Sequence, residues 1–280
     1  MRHYSSSPLR LILKSLPLIL VGTYLAFPLV YAILGSFKQL SEFSYPPTFL
    51  PRNFFYFGNY VEVFRKTPII RYFFNSLVIA VVGAFLELTF SILAAYAFAY
   101  LEFRGKKFFF FLIMGTLMLP GETLFVGNYL TVAKLGLLDT YAGVILPLLA
   151  SATQILILRQ AFMSLPKSLY EAAKMDGSGG PRYIFSILIP ITKSFLVILT
   201  IRAFLSFWNA YLWPLLVTNS NKMRTVQVGI TMMSNTDVSN FGLILAAVTI
   251  VLIPSLLFFI FAHDLIQDGL TSADIGGTNN

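Results

Sequence analysis

The sequence predicts an all-helical membrane protein that crosses the bilayer six times. Three observations carry that reading. Of 280 residues, 57% are hydrophobic and only 11% are charged, and the mean hydropathy is +0.77. A soluble domain is about half apolar and about a quarter charged. Six apolar runs are each long enough for a hydrocarbon layer of about 30 Å, which takes about 20 residues. Finally, 28 Phe and 14 Tyr supply the rings that suit lipid-facing surfaces and interfacial belts.

The first run, 16–37, follows Arg2, Arg10 and Lys14. That order resembles a secretory signal, but the apolar stretch exceeds the signal core of about 7–15 residues. A retained helix is expected. The loop 38–71 carries "YPPTFLP" and "NFFYF". It reads as a segment lying on the outer headgroups, or as part of a docking surface for an external partner. The second run, 72–101, is longer than a span requires, so tilt or protrusion follows. Glu87 lies at its centre and is expected to face other helices rather than lipid.

The third run, 108–130, begins after the basic turn "EFRGKK" and contains Pro120-Gly121, which should kink or break it. The fourth run covers 141–162. The fifth, 195–218, is again longer than needed, carries Arg202 and ends in "WNAYLWP". Arg202 is only about two turns past Lys193 and reads equally well as a cation snorkelling inward. The sixth is 241–262. No internal repeat is apparent. The chain divides into 1–71 (first helix and external loop), 72–265 (helical body) and 266–280 (tail).

Lys and Arg cluster near the N-terminus and in the short 104–107 turn, and Lys167, Lys174, Arg182 and Lys193 lie between 163 and 194; against them, the longer loop 38–71 carries Lys38, Arg52, Arg65, Lys66 and Arg71 beside Glu42 and Glu62. Positive charge in short loops marks the cytoplasmic side. Both termini and the 163–194 segment are therefore expected inside, in a multi-pass protein of the cell membrane. The net charge of +8 then speaks of topology and anionic lipid, and nothing supports nucleic-acid binding.

Catalytic motifs are missing. There is no cysteine, so thiol chemistry and Cys-based metal sites are excluded. No phosphate loop, dinucleotide fingerprint or nucleophile elbow occurs. His3 and His263 are the only histidines, and neither belongs to a zinc motif. No catalytic residue, metal ligand or bound cofactor is predicted. Energy for uphill work must come from a partner or from an ion.

The least apolar long stretch of the second half is "LPKSLYEAAKMDGSGGPRYIFSILIP", residues 165–190. Pro166 suits the first turn of a helix, and Ser164 is placed to cap it. Leu169, Ala172 and Ala173 share one face. Gly177 can adopt the left-handed conformation that stops a helix. From physics alone this is an interfacial helix, or a knob that enters a groove on a cytoplasmic protein.

The stretch resembles the coupling-loop signature of binding-protein-dependent ABC importers. There, Glu-Ala-Ala is followed three residues later by Gly, and nine residues after that by Ile-x-Leu-Pro. Here Glu171, Ala172 and Ala173 precede Gly177, Ile187 and Pro190, with Ile189 in place of the usual Leu. Residues 136–166 and "WNAYLWPLLVTN" (208–219) are similar to permeases of carbohydrate-type importers, nearest those for oligosaccharides and glycerol-3-phosphate. The resemblance covers residues 70–265, and the first helix agrees in placement only.

It implies the type I importer permease fold. Glu171, Ala172, Ala173, Asp176 and Gly177 would contact the ATPase. The implied partners are a homologous second permease, two ATP-binding cassette subunits that hold ATP and Mg, and an external solute-binding protein. Candidates for the substrate path are Trp208, Asn209 and Tyr211, with Gln154, Ser151, Asn128 and Glu122 weaker. Trp and Tyr can stack on sugar faces and Asn can bind hydroxyls. The same cluster also fits an aromatic belt or simple packing. An ion-coupled transporter and a non-transporting scaffold remain the rival readings.

Overall fold

The protein is described from a computed structural model, which gives the backbone of residues 8–44, 46–236 and 240–275. Arg2 and His3 lie outside the described residues. In hydrocarbon every backbone polar group must be satisfied within the chain, so apolar runs of this length become helices. Among the described residues, two helices are continuous and apolar enough to span: α1 (Pro8–Ser36), over Ser15–Ser36, and α3 (Ile69–Tyr100). α3 has 32 residues, about 48 Å at about 1.5 Å per residue, in line with protrusion beyond the bilayer. The short amphipathic α2 (Gly58–Lys66) precedes it.

Three expected spans are not single helices. The third breaks at Leu119-Pro120: α4 (Lys106–Gly115) and its terminal turn meet the segment leading into α5 (Phe125–Lys134) at 105°. Proline supplies no N–H and clashes with the preceding turn, as the sequence foretold. The fourth bends by 52° between α6 (Tyr141–Ile145), with the turn that follows it, and α7 (Ala152–Met163). Pro147 limits the first piece, and Ser151 caps the second by accepting from the Gln154 N–H at 3.4 Å.

The fifth differs most. α8 (Lys167–Met175) and α9 (Gly180–Tyr183) lead through a π turn at Ile184–Leu188 into α10 (Ile189–Ile191). α11 (Lys193–Trp208) then starts at 89° to the Gly180–Ile191 arm. With 16 residues, α11 is about 24 Å long, not the long span expected. It stops at Asn209, and Pro214 falls inside the next helix, α12 (Leu212–Val217), instead of ending α11. After α13 (Val226–Thr236), α14 runs from Phe241 to Ile275, and its sequence stays apolar through Ala262. The backbone of 266–275, within the segment read as a tail, continues this helix.

The chain forms two compact units, Met1–Pro68 with Ile230–Ile253, and Ile69–Gly229 with Pro254–Asn280. In the first, Gly35 lies so close to Leu245 that a Cβ would collide with it. Gly242 similarly admits the Asn59 amide, which donates to the carbonyls of Ser36 and Lys38 at 2.8 Å each. Lys38 is fully buried over the rings of Tyr31 and Phe43 and donates to the Thr48 carbonyl. Glu42 accepts from the backbone N–H of Gln39 (3.0 Å) and of Arg52 (2.7 Å). Burial alone would raise its pKa, but these bonds and the nearby Arg52 and Lys38 hold the carboxyl below its ordinary value.

The second unit is built on α3, which packs along α7 and α11. Small residues permit the approach: Gly83 faces the Phe207 ring, which a Cβ would meet at 2.8 Å. At the N-terminal end of α3, Asn75 donates to the carbonyls of Lys222 and Arg224 at 2.9 Å and accepts from the Tyr141 hydroxyl at 2.7 Å. Asp139, at φ 59, clamps the same connection by accepting from the N–H groups of Asn219 and Ser220 at 2.9 and 3.0 Å. Burial opposes its ionisation, but Ser220, Asn219 and the Arg224 charge prevail and lower its pKa.

Candidate functional site

At the C-terminal end of α3 the chain builds a two-faced helix. Ser164 is not the N-cap expected of it. It closes α7 instead, donating to the Ala161 carbonyl at 2.8 Å, and Pro166 precedes α8. α8 ends in a double backbone closure. The Gly177 N–H reaches the Lys174 carbonyl at 3.1 Å, and that of Ser178 reaches Ala173 at 2.9 Å. Gly177 takes φ 74 to allow it, the conformation glycine adopts without a Cβ penalty.

The alanine pair is split between two faces. Ala173 is buried and belongs to a core cluster with Tyr96, Phe162, Tyr183 and Leu188, so it is not part of an exposed small-residue face. Glu171, Ala172, Met175, Asp176 and Gly177 are exposed. Behind α8 sits a tyrosine cage that the sequence reading missed. The Tyr100 ring lies 4.7 Å from Tyr170 and 5.4 Å from Tyr183, Tyr170 lies 5.1 Å from Tyr183, and Tyr96 completes the group at 5.6 Å from Tyr100. The Tyr100 hydroxyl donates to the Phe162 carbonyl at 2.8 Å, tying α3 to the end of α7. Gly180 is packed against the Tyr96 hydroxyl, which a Cβ would approach at 3.1 Å. The i,i+4 spacing of Tyr96 and Tyr100 was the available signal.

A second group lies within the helices. Glu87 is buried, and its carboxylate is 3.8 Å from the guanidinium of Arg202, a side chain 47% exposed. Ser151 interacts with Glu87 through its hydroxyl. Gln154 is fully buried and donates to the Leu199 carbonyl at 3.3 Å, while its side-chain oxygen has no partner among the described residues. Thus α3, the capped start of α7 and α11 bring Ser151 and Gln154 together with two charged residues whose pairing the sequence left open. Arg202 lies within ion-pair range of a carboxylate while its side chain remains 47% exposed.

The remaining candidates are dispersed. Trp208 is buried, stacked 6.0 Å from Phe204 and edge-on to Phe73 at 5.4 Å. Asn209 is exposed where α11 ends, and Tyr211 is half-buried before α12. Trp213, also buried, donates to the Val144 carbonyl at 3.1 Å. Glu122 is exposed just past the Pro120 break, and Asn128 is half-buried on α5. Among the described residues, no hydrogen bond or ion pair joins Glu122 or Asn128 to the Glu87 group. Nor do the described residues contain a cluster of three or more His, Asp or Glu suited to a metal ion.

Comparison with known proteins converges on one family. Residues 87–271 match the family described as "Binding-protein-dependent transport system inner membrane component". The chain is 33% identical over 276 residues to an sn-glycerol-3-phosphate transport system permease protein of Agrobacterium fabrum, covering 95% of this chain and 98% of that one. Its counterpart in Yersinia pestis is 35% identical over 266 residues, covering 92% and 95%. The similarity therefore reaches well beyond residues 70–265, into the first helix. A chain from the crystal structure of a bacterial ABC transporter involved in the import of the acidic polysaccharide alginate shares the fold. Its TM-score is 0.80 at 23% identity, over 96% of this chain and 99% of that one. The chain belongs to the family of binding-protein-dependent transport system inner membrane components, the permease subunits of ABC importers.

Proposed function

We propose that this permease moves a carbohydrate or a glycerol-3-phosphate-like solute into the cell by alternating access, driven by ATP hydrolysis on partner subunits. The observation that carries this reading is the two-sided α8. Its inner face is locked to α3 and α7 through Ala173 and the tyrosine cage, and its outer face presents Glu171, Ala172 and Asp176. Such a helix is a lever. Force on the outer face from an ATP-binding cassette subunit moves α3, which bears Glu87 near its middle, and α7, whose opposite end bears Ser151 and Gln154. Gly177 fixes the length of the lever by stopping it. Ala173 acts from the inside, as the point of attachment.

In this reading the chain hydrolyses nothing, and ATP and Mg reside on two ATPase subunits. A homologous second permease completes the pathway, and an external binding protein delivers the solute. Both termini lie in the cytoplasm. The broken helices at Leu119, Ser151 and Asn209 suit a cavity, because interrupted backbone at depth is tolerated where it lines one. Arg202, Ser151, Asn209 and Tyr211 would face the solute, with Gln154 and Trp208 packed behind them and Glu122 and Asn128 on the α4–α5 side.

Uptake into proteoliposomes containing the purified complex tests the proposal. Solute should accumulate with ATP supplied on the α8 side and with no ion gradient. Uptake that follows an ion gradient and ignores ATP would replace it with secondary transport. A complex that binds ATPase subunits but accumulates no solute would leave a scaffold.

A further inference from the structure

A groove of about 730 Å³ lies where α3 ends and α4 begins, away from the Glu87 group. Its rim carries Lys106, Lys107 and Arg159 against a single carboxylate, Glu102. Its walls are aromatic, with Phe98 buried and Phe108 and Phe111 exposed at 66% and 71%.

Arg159 is held in place by two contacts. Its Nε donates to the Phe98 carbonyl at 3.2 Å, and its guanidinium carbon lies 4.3 Å from the centre of the Phe110 ring. No carboxylate pairs with it among the described residues. Lys106 is mostly covered and meets Glu102 at 3.2 Å, but Glu102 is 89% exposed, so the pair is screened and weak. Lys107 is exposed and has no ion pair among the described residues. α4 also starts without a side-chain cap and with no acidic residue in its first turn, which leaves the positive end of its dipole unopposed.

The order along α4 supplies the level. Two lysines are followed at once by four phenylalanines, and no residue of α4 is buried. Charge next to an exposed phenylalanine run marks the border between headgroups and hydrocarbon in a membrane-spanning chain. A phosphate here meets three cations while its acyl chains lie along phenylalanine. A protein partner would have to bury unpaired lysines, which interface cores exclude. We propose that this groove binds the headgroup of an anionic phospholipid.

The test is lipid retention by the purified importer complex, read by native mass spectrometry after equal additions of phosphatidylglycerol and phosphatidylcholine. The wild type should retain phosphatidylglycerol preferentially. A cation near an anionic headgroup is worth about a fivefold factor, so the double variant Lys106→Gln, Lys107→Gln should lose about 25-fold in that preference. The corresponding pair of arginine substitutions should restore it. Arg159→Gln should lower it too, although that variant also gives up the bond to Phe98. Lys134→Gln, removing an exposed cation elsewhere, should leave retention as it was.

Several results would overturn the proposal. One is equal retention of the two lipids by the wild type. Another is an unchanged preference in the lysine double variant, or an equal loss in Lys134→Gln. Displacement of the lipid by millimolar inorganic phosphate would assign the groove to a free anion. Loss of the second permease from the lysine variant with lipid retention intact would assign it to a protein interface.

Discussion

Replacing Tyr170 with alanine separates holding the ATPase from being moved by it. Tyr170 projects from α8 into the cage, 4.7 Å from the Tyr100 ring and 5.1 Å from Tyr183. Two aromatic pairs are worth about 0.5–1.5 kcal/mol each beyond simple burial. The substitution therefore weakens attachment of α8 by about 1–3 kcal/mol, a shift of about 5- to 150-fold in the balance between docked and loose α8. The outer face, with Glu171, Ala172 and Asp176, is untouched. The expected phenotype is a complex that keeps its ATPase subunits and hydrolyses ATP, with solute moved per ATP falling at least severalfold. Tyr170→Phe, which keeps the ring, should retain most coupling. Parallel measurement of hydrolysis and uptake in proteoliposomes reads the ratio directly. An unchanged ratio in Tyr170→Ala, with ATPase bound, would show that force does not pass through the cage.

Three further outcomes follow from the same geometry. Glu171→Lys reverses a charge on the exposed face of α8 and should release the ATPase on affinity purification, while membrane insertion stays normal. Arg202→Gln strands the buried Glu87 carboxylate and should destabilise the purified complex by about 1–3 kcal/mol, tempered from the about 3–5 of a fully buried pair by the exposure of Arg202. Adding Glu87→Gln should recover much of that loss in thermal unfolding. Asp139→Asn should cost about 1 kcal/mol near neutral pH, through its weakened bonds to Asn219 and Ser220. Because the folded-state pKa of Asp139 is lowered, its contribution is present above its unfolded value and lost as pH falls through the folded one. The gap between wild type and variant should therefore close in acid, and a gap that widens there would contradict the assignment.

The sequence alone settled what depends on composition and local chain geometry. Uninterrupted apolar runs of about 20 residues favour membrane helices over barrel strands, which are about half as long and alternate, because a helix satisfies its own backbone in lipid. Pro120 broke its helix, and Gly177 stopped α8 in the left-handed conformation, since both act within one turn. The resemblance of residues 171–190 to the coupling-loop signature, extended by 136–166 and 208–219, pointed to the family that the comparisons show. What the sequence could not decide was direction. Ala172 and Ala173 are neighbours on α8, and nothing in the sequence says where between them the boundary of the packed face falls, so they read as one face although only Ala173 joins the core. The interruptions at Ser151 and after Trp208 escaped as well, because a run can stay apolar across a break, with a bend of 52° at the first. The tyrosine cage and the Glu87–Arg202 pair join residues from distant parts of the chain. Only the packing of α3 against α7 and α11 brings them within reach, and that packing decides where movement of α8 can be felt.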